Sequence, residues 1–149
     1  MLKDRIYLDN CCLNRPYDDQ TNLSVHLEAE AKLFIQNGIV NDTFELAWSF
    51  MMDYEILSNP FYDRQLAFMR WKNVAVVDID PIEKILINGR ELFKKKLKRK
   101  DALHLACAIE AECQYFLTTD RKILNKKIME IKIINPIDFV RQFYIGEKQ

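Results

Sequence analysis

Residues 100–120 read Lys-Asp-Ala-Leu-His-Leu-Ala-Cys-Ala-Ile-Glu-Ala-Glu-Cys-Gln-Tyr-Phe-Leu-Thr-Thr-Asp. Leu103, Ala106, Cys107, Ile109 and Ala111 recur at helical spacing, and their small size suits close packing, so 100–112 predicts a helix. Tyr115–Leu117 predicts a strand that stops at Thr118-Thr119-Asp120. The same alternation extends in both directions. Downstream, Ile131–Ile134 reads as a last strand and Pro136 opens a closing helix with Phe139, Val140 and Phe143. Upstream, the β-branched run Val74–Val77 predicts a buried strand. Asp80-Pro81-Ile82-Glu83 then supplies an N-cap, a proline at the first helical position and an acid for a helix to about Lys96. Nearer the N-terminus, Ile6–Leu8 is a short apolar strand ending at Asp9-Asn10, followed by a polar loop over Asn14–Gln20. Leu23–Asn37 has helical periodicity and a stop signal at Asn37-Gly38. Phe44–Trp48 is strand-like, Ser49 is placed to cap a helix through Leu57, and Asn59-Pro60 restarts a helix to about Trp71. Strands separated by helices pair mainly in parallel, which predicts an α/β fold with a sheet covered on both faces.

The bulk properties agree with that reading and narrow it. The chain has 149 residues, 49% hydrophobic and 30% charged, enough to bury one core, and with neither repeat nor linker it is expected to form a single domain over 1–149. Four cysteines, Cys11, Cys12, Cys107 and Cys113, lack C-x-x-C spacing, and only two histidines are present. A reduced protein is therefore expected, and no zinc motif. The start of the sequence carries no apolar run of signal-peptide length and no window approaches a transmembrane span, so the expected location is the cytoplasm, with no membrane partner. Lys plus Arg number 22 and Asp plus Glu number 22, which argues against a protein that merely coats nucleic acid. The balance is a cancellation: residues 1–75 hold 7 basic and 11 acidic side chains, and residues 76–149 hold 15 and 11.

In an open α/β sheet, ligands gather beyond the carboxyl ends of the strands. Asp9 ends the first strand and Asp120 follows the Tyr115–Leu117 strand, so the two face one crevice if those strands are neighbours. Asp101 begins the small-residue helix, and Glu55 lies in the helix after the second strand. On that helix Asp53 and Glu55 point about 200° apart, and Glu55 is the choice for the cleft because Met52 and Ile56 then fall on flanks that can pack. Four carboxylates from four segments repel one another in a low-dielectric cleft unless cations neutralise them, and hard oxygen donors suit Mg²⁺ or Mn²⁺. Each acid taken singly is also an ordinary cap or dipole partner.

Tyr7-Leu8-Asp9-Asn10, Asp53-Tyr54-Glu55-Ile56, Lys100-Asp101-Ala102-Leu103-His104-Leu105-Ala106 and Phe116-Leu117-Thr118-Thr119-Asp120 together resemble the ordered acidic motifs of the PIN-domain nucleases. The similarity runs from Ile6 to about Val140. It implies a three-layer α/β/α sandwich around a mainly parallel sheet, with Asp9, Glu55, Asp101 and Asp120 as catalytic metal ligands for Mg²⁺ or Mn²⁺ and endonucleolytic cleavage of RNA. Many small members of the family are toxins of toxin-antitoxin pairs and commonly homodimers, which makes an antitoxin protein and a second copy the expected partners. Thr118 or Thr119 would then bond a metal-bound water or a substrate phosphate, with Asn10 helping. Arg15, in a longer and more acidic loop than a minimal PIN domain carries, would shape substrate choice.

Lys94–Lys100 holds six basic residues in seven directly before Asp101, and Lys98, Arg99 and Lys100 are the candidate phosphate contacts; a solvated helix end complementing its dipole accounts for the run equally well. His104, three residues after Asp101, either touches the cleft or is packed and hydrogen-bonded. Trp48, Phe50, Phe61, Phe68 and Trp71 read mostly as core, in part as an interface. Two other functions compete. A non-catalytic PIN-like RNA-binding or structural module would tolerate loss of one or two acids, and all four are present. A small-molecule phosphotransferase predicts a second Asp two residues after the first, where Cys11 stands.

Overall fold

The computed structural model describes residues 3–148, with side chains through Phe143; Met1, Leu2 and Gln149, at the ends of the range read as one domain, lie outside it. Five strands, β1 (Asp4–Leu8), β2 (Phe44–Ser49), β3 (Val77–Ile79), β4 (Tyr115–Leu117) and β5 (Lys132–Ile134), form one sheet in the order β3-β2-β1-β4-β5. Every pairing is parallel, with Tyr7 opposite Ala47 on one side and Phe116 on the other. Ile6, Tyr7 and Leu8 are buried, as a central strand covered on both faces requires. Helices α2 (Leu23–Val40) and α8 (Pro136–Lys148) pack together, as do α5 (Glu83–Phe93) and α6 (Arg99–Glu110), the latter beside α3 (Phe50–Leu57), which also meets α4 (Tyr62–Lys72). Sheet and flanking helices make the three-layer α/β/α sandwich of PIN-like type. No helix is long and apolar enough to cross a membrane.

The chain leaves β1 for β2 on one side and later returns to β4 on the other, so the strand order switches between β1 and β4. In open α/β sheets such a switch point, beyond the carboxyl ends of the strands, is where ligands gather. Just past β1, where a loop is expected, the chain instead turns into a short helix, α1 (Asn10–Asn14), and a 3₁₀ turn over Arg15–Tyr17. The Asp9 side chain caps that helix by accepting from the Asn10 amide at 2.8 Å.

Four boundaries differ from the sequence reading, each for a local reason. The run Val74–Val77 is not the third strand; β3 begins at Val77, on the edge of the sheet, where Val74 and Val76 stay about half exposed. A β-branched run looks the same whether the strand is central or marginal. Asp80 does not cap α5: Ile82 is the capping residue, without a side-chain bond, and residues 80–82 form a turn in which the Ile82 amide bonds the Asp80 carbonyl. That helix ends at Phe93 rather than Lys96, which takes a left-handed φ of 65°. Finally, α2 does not stop at Asn37-Gly38 but runs to Val40, and Asp42 makes the left-handed turn. Gly38 is needed for packing, because a Cβ there would lie 2.5 Å from the Phe44 ring.

Candidate functional site

Three of the four acids stand at the starts of helices and the fourth is held by a buried histidine. Asp9 follows β1 and is only 7% exposed. Its Oδ2 accepts from the Thr118 hydroxyl at 2.8 Å and from the Cys11 thiol at 3.4 Å. Thr118 Oγ1 in turn accepts from the Asp120 amide at 3.1 Å, so one buried hydroxyl ties the ends of β1 and β4 together. Asp120 caps α7 (Arg121–Leu124), accepting from the Lys122 amide at 2.9 Å. Asp101 sits in the first turn of α6 and takes no side-chain hydrogen bond among the described residues.

Glu55 projects from α3 toward α6, where its Oε1 lies 2.7 Å from His104 Nε2. His104 is fully buried, and its Nδ1 lies 2.6 Å from the Tyr7 hydroxyl, which lies 2.7 Å from Ser49 Oγ. Two proton assignments satisfy the whole chain, and in both His104 donates through Nε2 to Glu55 while the Tyr7 hydroxyl bridges Ser49 and His104 Nδ1. Ser49 occupies the N-cap position of α3 without capping it, because its hydroxyl serves this relay. Asp53 is occupied elsewhere, accepting from Trp48 Nε1 at 2.9 Å and pairing with Lys72 at 3.0 Å. Glu55 is therefore the acid of its pair that faces the crevice, and Met52 and Ile56 are buried beside it.

The electrostatics show acids brought close with their charge only partly compensated. Burial drives the Asp9 carboxyl well above the usual carboxylate range, and the Cys11 and Glu55 charges push it the same way. Burial also raises Asp101, reinforced by Asp120 and Glu55. Glu55 moves oppositely: burial lifts it, but the hydrogen bond and charge of His104, with Lys100 and Asn10, together outweigh that and leave it lowered. Among the described residues no three His, Cys, Asp or Glu side chains are grouped closely enough to enclose a metal ion. The donor set is all carboxylate and amide oxygen, and the buried Asn10 Oδ1 has no partner. Carboxylate and amide oxygens are the donor type that Mg²⁺ or Mn²⁺ takes, commonly with one or two direct carboxylates and several retained waters.

The candidate substrate contacts separate. Lys100 lines a cavity of about 320 Å³ with Asn10 and Glu55, and Lys98 lowers Asp101 by its charge. Arg99 turns away, its guanidinium 5.8 Å from the Phe93 ring in the groove between α5 and α6. Arg15 has both arms engaged, with Glu28 at 3.0 Å and Asp18 at 2.9 Å. Thr119 lines a second cavity, of about 580 Å³, together with Arg15, Arg121 and Arg141. Thr118, fully buried, is bonded to Asp9 and Asp120 rather than open to a ligand. Sequence reasoning missed Tyr7 and Ser49. The available signal was a tyrosine in a buried strand, whose hydroxyl needs a partner.

The all-parallel five-stranded sheet flanked by helices is consistent with a PIN-like three-layer α/β/α sandwich. In agreement, one chain of the crystal structure of VapBC2 from Rickettsia felis bound to a DNA fragment from their promoter superposes with a TM-score of 0.54 over 88% of this chain and 98% of that one, at 15% identity. No family model matches the sequence, and no curated protein does.

Proposed function

We propose that the protein is a divalent-metal-dependent endoribonuclease that hydrolyses RNA phosphodiester bonds and acts as the toxin of a toxin-antitoxin pair. What supports this reading is that Asp9, Glu55, Asp101 and Asp120, carried by four separate elements, act on one another electrostatically: Glu55 raises Asp9, and Asp120 and Glu55 raise Asp101, a repulsion that a bound cation would relieve. Mg²⁺ or Mn²⁺ bound by these carboxylates would supply an activated water and charge stabilisation at phosphorus. The chain's own residues do the rest. Thr118 fixes the Asp9 carboxylate, the Tyr7–His104 pair fixes Glu55, and Lys98 and Lys100 place cations where phosphates approach. The fold shared with a chain of VapBC2, solved with promoter DNA, supports a toxin that a partner protein restrains; homodimerisation and a cytoplasmic site of action belong to the same proposal.

A second reading, a PIN-like module that binds RNA without cutting it, draws on the absence of any tight group of three ligating side chains among the described residues. Incubation of purified protein with single-stranded and structured RNA, with Mn²⁺ or Mg²⁺ and with chelator, separates the two. Metal-dependent cleavage that disappears in Asp9→Asn and Asp101→Asn is the expected result. Cleavage persisting in both variants refutes the assignment, and RNA binding without cleavage selects the second reading.

A further inference from the structure

A pocket lined in part by Glu55 and Lys100 extends away from the acids along Asn59, Phe61 and Arg64. It has a volume of about 320 Å³ and is floored by Asn10, Asn14 and Asn59, at the small end of the roughly 300–1,000 Å³ typical of ligand sites. One wall is aromatic and cationic. The Arg64 guanidinium lies 4.0 Å from the Phe61 ring centroid and 4.4 Å from that of Tyr17, sandwiched between the two. Tyr17 packs edge-on against buried Phe68, which anchors the stack in the core. Phe61 remains 53% exposed although Arg64 lies against its ring. Opposite stands Lys100, whose ammonium lies 5.7 Å from the exposed Tyr54 ring.

We propose that this pocket is a nucleobase subsite: one unpaired base of the RNA strand stacks on Phe61, extending the Tyr17–Arg64–Phe61 column, while Lys100 holds the adjoining phosphate. The inference rests on the nuclease reading for its substrate and adds to it the site that selects an unpaired base. Two independent features favour a base over another occupant. A flat aromatic face flanked by cations is the surface on which single-stranded nucleic acid stacks. In addition, the pocket is lined by the amides of Asn10, Asn14 and Asn59, groups that match the hydrogen-bonding edge of a base. The three asparagines also hold one another in register: Asn14 Nδ2 donates to the Asn10 carbonyl at 3.1 Å and Asn59 Nδ2 to Asn14 Oδ1 at 3.4 Å.

The test is equilibrium binding, in chelator, of a fluorescein-labelled single-stranded RNA and of the same strand made abasic throughout. Phe61→Leu is expected to weaken binding of the intact strand by about fivefold or more and to leave the abasic strand unchanged, and Phe61→Trp to restore wild-type affinity. Phe61 is half exposed, so these variants keep the fold, which a thermal melt checks. Equal weakening of both strands, no weakening of either, or a wild type that binds neither overturns the subsite. The expected pattern in a protein that cuts nothing with Mn²⁺ upholds the subsite and overturns the nuclease; Asp101-dependent cleavage with base-independent binding overturns the subsite alone.

Discussion

Replacing Tyr7 with phenylalanine removes a single oxygen from the centre of the protein. The ring keeps its stacking on Phe116, at 5.4 Å between centroids, so the change isolates the hydroxyl. That oxygen serves Ser49 Oγ at 2.7 Å and His104 Nδ1 at 2.6 Å, and both side chains are fully buried. Ser49 keeps a neighbour in the Cys107 thiol, whereas His104 Nδ1 loses the one partner it has among the described residues. A buried polar group left unsatisfied costs about 1–3 kcal/mol, so Tyr7→Phe is expected to lose about 2 kcal/mol. At roughly 2–4 °C per kcal/mol for a chain of this size, the melting temperature falls by about 4–8 °C. Urea unfolding followed by tryptophan fluorescence measures it directly, since Trp48 is buried. If the relay is as described, adding His104→Leu to Tyr7→Phe costs less than the two single losses combined. A Tyr7→Phe protein within about 0.5 kcal/mol of wild type, inside the range of an ordinary surface change, refutes the relay, and with it the argument that His104 is what orients Glu55.

Gly38→Ala should destabilise: filling a site where the Cβ meets Phe44 at 2.5 Å costs about 1–3 kcal/mol, more than the helix propensity gained, and an unchanged urea midpoint contradicts this. Glu55 has a lowered folded value, the pull of His104, Lys100 and Asn10 together exceeding the lift from burial, so its stabilisation is present in full above the ordinary carboxylate range and is lost as pH falls through the folded value. Glu55→Gln is therefore expected to flatten the acid limb of a stability-versus-pH curve, and a limb as steep as wild type's counts against the pairing. In RNA binding, Lys98→Gln and Lys100→Gln should each reduce the salt slope by about 1, while Arg99→Gln, turned toward Phe93, leaves it unchanged; equal effects of all three return the run to a uniformly solvated face.

What could be read from the amino acids was whatever local pattern controls. β1 and β4 were legible because a short apolar run ending in a polar cluster has few alternatives, and the two strands are indeed neighbours. The choice of Glu55 over Asp53 rested on the helical angle together with the packing flanks of Met52 and Ile56, and the structure ties Asp53 to Trp48 and Lys72. The rest depended on contacts distant in sequence. Gly38 looked like a stop signal because Phe44's ring, which requires it, is invisible to a local pattern. Val74–Val77 looked like a core strand because nothing in a β-branched run reports whether a neighbour covers it. Ser49 was legible as a cap by position, but its partner is Tyr7, on another strand. The basic run was legible as charge only; its division into Lys100 beside Glu55 and Arg99 over Phe93 arises from the turn before α6.

The bond from Thr118 to Asp9 spans 109 residues. Its consequence concerns synthesis. While the polypeptide is emerging from the ribosome, the first acid is made early and has no hydroxyl to hold it, and the last carboxylate of the crevice follows two residues after that hydroxyl. An amino-terminal fragment of any length short of β4 thus carries the first strand and its acid but not the crevice. A protein that cut RNA would in this way be inert beside the ribosome until the strand leading to Thr118 and Asp120 had been translated.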